Sequence, residues 1–139
     1  MDKKEKIFFY FDLLIKLRND FKTMSYIDAG ALTGTHYRHV YRYLGNIQLG
    51  IDVYNSSSGV APIPHINALV VRKRDNKPGD GCNTTRPSTV LGFDYTNHVQ
   101  EIRNILEFIL KPCFLQLHSD KSHEYKVEKF AELWMKNKM

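Results

Sequence analysis

Two stretches of this sequence carry side chains able to hold a phosphate or read a base edge. The first contains Tyr26, Thr35, His36, Arg38, His39 and Arg42; the second is the run Arg72-Lys73-Arg74 with Lys77, beside Pro78-Gly79. Guanidinium, ammonium, imidazole and hydroxyl donors at such short spacing suit phosphate oxygens and the acceptor edges of bases. His36 and His39 also stand three apart, a spacing that lets one metal ion take both imidazoles. Zinc asks for three or four protein ligands and no third is nearby in sequence, so no metal is expected. His118 and His123 make a weaker pair.

Enzyme chemistry has little to stand on. The sequence lacks a Gly-rich phosphate loop, a Gly-x-Ser-x-Gly and a His-Glu-x-x-His, and its acidic residues do not cluster with a Lys as a metal-dependent nuclease needs. No catalytic residue and no cofactor is therefore assigned. A metal-free ribonuclease using one of the six histidines with Arg, Tyr or Lys stays open as an alternative.

The elements that must position these residues follow from local signals. Ser25-Tyr26-Ile27-Asp28 has the form of a capping box and predicts a short helix to about Thr33. Gly34 supplies a stop, Thr35 a cap, and a second helix is predicted over 36–44, ended by Gly45-Asn46. Turning about 100° per residue puts Val40, Leu44, Tyr37 and Tyr41 on one inward side and Arg38, His39 and Arg42 on the other. Two helices joined by a tight Gly turn form a helix-turn-helix candidate, with residues 35–42 free to enter a groove. An ordinary solvated face has the same composition, and that alternative stays open. Residues 48–66 mix Gly, Ser and Pro and read as loop, while Asn67–Val71 reads as a buried strand. The basic turn after it looks like a wing, which could grip a backbone or merely keep a hairpin tip soluble.

Helices flank this region. One is predicted over 3–21, capped by Asp2, with Ile7, Phe8, Phe11, Leu14, Ile15, Leu17 and Phe21 on one side. Arg18 falls inside that arc, its stem packing and its head reaching water. The aromatic face is core, or alternatively a dimer contact. Two further helices are predicted over 96–111, with Thr96 as cap and Pro112 as its end, and over 122–136, with Val127, Phe130, Ala131 and Trp134 turned inward. Residues 80–95 are polar and receive no assignment.

At 139 residues, 42% hydrophobic and 12% aromatic, the chain suits one domain with a core of its own. A formal charge of +5 favours an anionic partner. Cys82 and Cys113 form neither a disulfide framework nor a zinc pattern, which points to a reducing, cytoplasmic setting. The sequons at Asn55 and Asn83 are then only polar loops. Neither a signal peptide nor a membrane span is expected, because charges interrupt the N-terminal apolar run and no stretch of about 18 apolar residues occurs.

Ser25-Tyr26-Ile27-Asp28, Gly34 and Arg38-His39-Val40 together resemble the helix-turn-helix of the alkylguanine DNA alkyltransferases and their alkyltransferase-like relatives. In that family a Thr-Tyr-x-Asp or Thr-Tyr-x-Glu helix start precedes an Arg-Ala-Val-Gly recognition helix and a Pro-Cys-His-Arg-Val-Val segment. The resemblance spans residues 24–74. It implies that Tyr26 presses on a phosphate and that Arg38 enters the duplex where a nucleotide flips out. Aligned on Val70-Val71, Asn67 takes the place of the nucleophilic Cys, and Ala68 and Leu69 replace His and Arg, so alkyl transfer is not expected. The pattern Ala-Leu-Val-Val followed by Lys-Pro-Gly-Asp-Gly also resembles small bacterial proteins.

The expected architecture is α+β, mainly helical, in a single domain. An N-terminal helix occupies 1–22, a winged helix-turn-helix with a small sheet 23–82, and C-terminal helices 95–139. The expected function is non-catalytic binding of nucleic acid, duplex DNA in the first place, by Tyr26, Thr35, His36, Arg38, His39, Arg42, Arg72, Lys73, Arg74 and Lys77. Two alternatives come from other classes. One is a protein-binding immunity or antidefence factor whose basic face meets an acidic partner; the other is a small metal-independent RNA-cleaving toxin.

Overall fold

A computed structural model describes residues 1–79, 85–117 and 121–138. Cys82, Asn83 and His118, and with them the end of the expected wing segment, lie outside the described residues. The chain is mainly helical with one two-stranded sheet, and it forms two compact units, 1–48 with 64–95 and 49–63 with 96–139.

The first unit is organised by α1, Lys3–Asn19. Asp2 accepts the Glu5 amide at 2.8 Å and Glu5 accepts the Asp2 amide at 3.3 Å, so a full capping box starts the helix. Its buried stripe is Ile7, Tyr10, Phe11, Leu14 and Leu17. Phe21, expected in that stripe, lies past the helix end at φ 54° and is exposed. There the Lys22 amide donates to the Leu17 carbonyl and the Phe21 amide to the Arg18 carbonyl, which closes a Schellman turn on a non-glycine residue. Arg18 is half-buried: its Nε is buried without a hydrogen-bond partner, and its guanidinium lies over the Phe21 ring.

Strand β1, Met24–Ser25, leads directly into α2, Tyr26–Ala31, whose Asp28 amide donates to the Ser25 hydroxyl at 3.0 Å. Gly34 takes φ 64°, as its position after a helix demands. The next helix, α3, runs Tyr37–Ser57 and does not stop at Gly45-Asn46. A glycine inside a helix costs about 1 kcal/mol. Val40, Leu44, Ile47 and Ile51, spaced along one side and all buried, outweigh it. Half of the expected loop 48–66 is therefore helix.

The expected strand over 67–71 is mostly a 3₁₀ turn, Ile66–Leu69, with only Val70–Val71 extended as β2. All four residues of the turn are buried, against α1 on one side and α4, Pro87–Leu91, on the other. A short run buried on every side gives no periodicity by which strand and helix could be told apart. β2 pairs in parallel with β1, Met24 beside Val70 and Ser25 beside Val71. α4 fills part of the unassigned 80–95 segment, with Pro87 in its first turn.

In the second unit, α5 is Val99–Ile109, α6 Pro112–Leu117 and α7 His123–Lys138. His98 rather than Thr96 precedes α5, and Pro112 opens α6 as well as following α5. Phe108 meets Phe114 and Trp134, and Phe114 meets Phe130 edge-on. The expected stripe of α7 holds, with Phe130, Ala131 and Trp134 buried and Val127 half-buried. Among the described residues no helix is long and apolar enough to cross a membrane.

Candidate nucleic-acid interface

The basic run is held in a closed turn. The Arg72 amide donates to the Lys77 carbonyl and the Asn76 amide to the Arg72 carbonyl, both at 2.8 Å, and Val71 bridges Pro78 in antiparallel fashion. Asp75 braces the turn from within: it accepts the Lys77 amide at 3.1 Å and pairs with Arg72 at 3.1 Å. The Lys77 amide and the Arg72 guanidinium together hold its carboxyl below the usual carboxylate range. The turn is fastened to α2 by the Gly79 amide, which donates to the Tyr26 hydroxyl at 3.0 Å. A Cβ on residue 79 would stand 2.7 Å from that oxygen, so a side chain there would push the Tyr26 hydroxyl out of its present place.

Between this turn and α3 lies a cavity of about 730 Å³. Arg38, Arg72, Lys73 and Arg74 line it with Tyr26, Tyr37 and Tyr41, and so do Leu44 and Asn67, each only 3% exposed. Two segments distant in sequence thus bring four cations to one opening. Arg38 lies over the Tyr37 ring, 5.8 Å from its centre, and its Nε donates to the Tyr37 hydroxyl at 3.3 Å. Arg42 lies likewise beside Tyr41. Each guanidinium is held partly in place by an aromatic neighbour, which lowers the entropy lost on gripping a phosphate.

Tyr26, Arg38, Arg72, Lys73 and Arg74 therefore meet, while Thr35, His36, His39, Arg42 and Lys77 lie outside the cavity. Thr35 is not a free hydroxyl at a helix start: it accepts from Lys6 Nζ at 3.1 Å and bonds Thr33 at 2.8 Å. Thr33 in turn bonds the Tyr10 hydroxyl at 2.7 Å, tying α1 to the α2–α3 turn. Burial raises the Tyr10 hydroxyl above its ordinary range. The start of α3 is capped instead by His36, whose Nδ1 accepts the Arg38 amide at 3.2 Å while its ring stacks on Tyr37. His36 and His39 stand edge to face at 6.1 Å, and among the described residues no group of three His, Cys, Asp or Glu could hold a metal.

Tyr37 and Tyr41 were expected to face inward. They are 41% and 58% exposed, and Tyr43 is the tyrosine that packs, stacked on Tyr10. On the helical wheel they sit at the border of the buried stripe, where a large ring with a polar tip can turn either way. Gln48 and Asn67 also line the cavity, and nothing in the sequence signalled it beyond the alignment of Asn67 with a nucleophile's position.

The charge is unevenly shared. The first unit has 13 Lys and Arg against 8 Asp and Glu, and the second has 7 of each. From Ala29 to Ile51 no acidic residue occurs at all. No protein-family model, no curated protein and no solved structure matches the chain.

Proposed function

We propose that the first unit binds duplex DNA without catalysis, in the manner of a winged helix-turn-helix. The N-terminal end of α3 enters a groove with Arg38, His39 and Arg42, and the 72–77 turn holds the backbone as a wing. One observation carries this: Arg38 from α3 and Arg72-Lys73-Arg74 from the turn converge on one opening, in the unit that bears the whole net charge. Cations from two elements along one surface suit phosphates spaced along a strand better than a single point anion. The alkyltransferase-like resemblance supports the same use of Tyr26 and Arg38. In this geometry the Tyr26 hydroxyl also fastens the turn, so its part in phosphate contact is shared with a structural one.

The test is fluorescence anisotropy on labelled duplex DNA, with single strands and RNA as competitors, at two salt concentrations. Arg38→Ala and the triple change R72A/K73A/R74A are each expected to weaken duplex binding about tenfold or more at low salt. Unaltered affinity in both would refute the proposal. The ribonuclease alternative has its own site to consider, the His123–Asp52 pair at 2.7 Å. That pair borders a cavity lined by Glu124, Glu128 and Glu132, a wall that repels a polyanion.

A further inference from the structure

A groove in the second unit carries charge opposite to that of the basic turn. Its cavity, about 670 Å³, lies between α7 and the C-terminal half of α3. Val127, Ala131 and Met135, spaced four apart on α7, give it an apolar stripe, and Met135 is 48% exposed. Glu124, Glu128 and Glu132 line it at the same spacing, and Asp52 joins them from α3. Among the described residues no Lys or Arg lines this groove. Asp52 pairs with His123 at 2.7 Å and Glu132 with Lys136 at 3.3 Å, whereas Glu124 and Glu128 form no ion pair with a described residue.

We infer that this groove docks the 72–77 turn of a second copy of the chain. The turn is a closed tip that exposes Lys73 and Arg74, and the cavity it borders is lined by four cations and, among the described residues, by no carboxylate. The aliphatic stems of such side chains lie along an apolar stripe while their charged heads reach carboxylates at its edge. Glu124 and Glu128 stand one helical turn apart, about 5–6 Å, so two cations of one tip can each meet one carboxylate. A cationic peptide from elsewhere offers the same chemistry, but this chain carries the matching element itself, at the same concentration as the groove. The contact joins two different surfaces, so it is head-to-tail and extends beyond two copies unless it closes into a ring. It stands whether or not the same turn also holds DNA.

Sedimentation velocity at about 100 µM protein, in about 0.02 M and about 0.5 M salt, tests it. The wild-type chain should associate at low salt and be monomeric at high salt. E124K/E128K and K73E/R74E change exposed side chains and spare the Arg72–Asp75 pair, so both keep the fold, which circular dichroism checks. Each variant alone should associate at least tenfold more weakly than the wild type. Mixed in equal amounts they should associate again, because every turn then has a groove of opposite charge to meet. A wild-type chain that stays monomeric at low salt overturns the inference. So does association that either variant leaves unaltered, or a mixture that stays monomeric.

Discussion

The Gly79 amide donates to the Tyr26 hydroxyl and so pins the basic turn to α2. Tyr26→Phe leaves that half-buried amide unpaired and should cost about 1 kcal/mol in denaturant unfolding. Amide exchange across 71–79 should rise with it. Asp75 adds a pH dependence to the same turn. Its carboxyl is held below the ordinary range in the folded chain, so its bracing is present above the unfolded value and is lost as pH falls through the folded one. The Lys77 amide resonance should therefore hold steady at neutral pH and shift only as pH falls below the ordinary carboxylate range, and Asp75→Asn should abolish that shift. Legibility at this scale was uneven. The cations stood out by type, and the Ser25 and Asp2 caps by spacing. Tyr37 and Tyr41 were turned the wrong way, because the border of a buried stripe does not decide where a tyrosine points. Nor could spacing show that Thr35 hydrogen-bonds Lys6 on another helix.

At the scale of elements, the α2–α3 corner depends on a glycine that no turn signal marked. A Cβ on Gly30 would stand 2.3 Å from the Thr35 carbonyl oxygen, a backbone atom that cannot swing aside. Gly30→Ala should destabilise the fold by roughly 1–3 kcal/mol, as overpacking does. Gly45 is the contrasting case, with nothing within 4 Å of its would-be Cβ in mid-helix. Gly45→Ala should stabilise by up to about 1 kcal/mol, and paired thermal melts of the two variants would show opposite shifts. The same glycine explains why the length of α3 was misjudged. Gly45-Asn46 is a sound stop signal, yet the buried series Val40, Leu44, Ile47 and Ile51 continues through it, and tertiary burial overrides propensity. The helices at both ends were legible because their stripes are long and their caps unambiguous. The 3₁₀ turn Ile66–Leu69 was not, because all four of its side chains are buried.

For the whole molecule, composition gave the sign of the charge but not its location. The net charge of +5 resides in the first unit, while the second is balanced. That division follows three-dimensional contacts between segments distant in sequence, 1–48 with 64–95, which a linear scan cannot pair. It turns the proposed function into a proposal about one opening, at which Arg38 of α3 and Arg72, Lys73 and Arg74 of the turn would act together on a DNA backbone. Each phosphate contact contributes about −0.9 to the slope of log affinity against log salt. The most direct test is that slope for duplex DNA, measured for the wild-type protein and for R72A/K73A/R74A. The account predicts a wild-type slope of about −3 to −5 and a value shallower by about 2 in the variant. A wild-type slope near zero, or the same slope in both proteins, would contradict it.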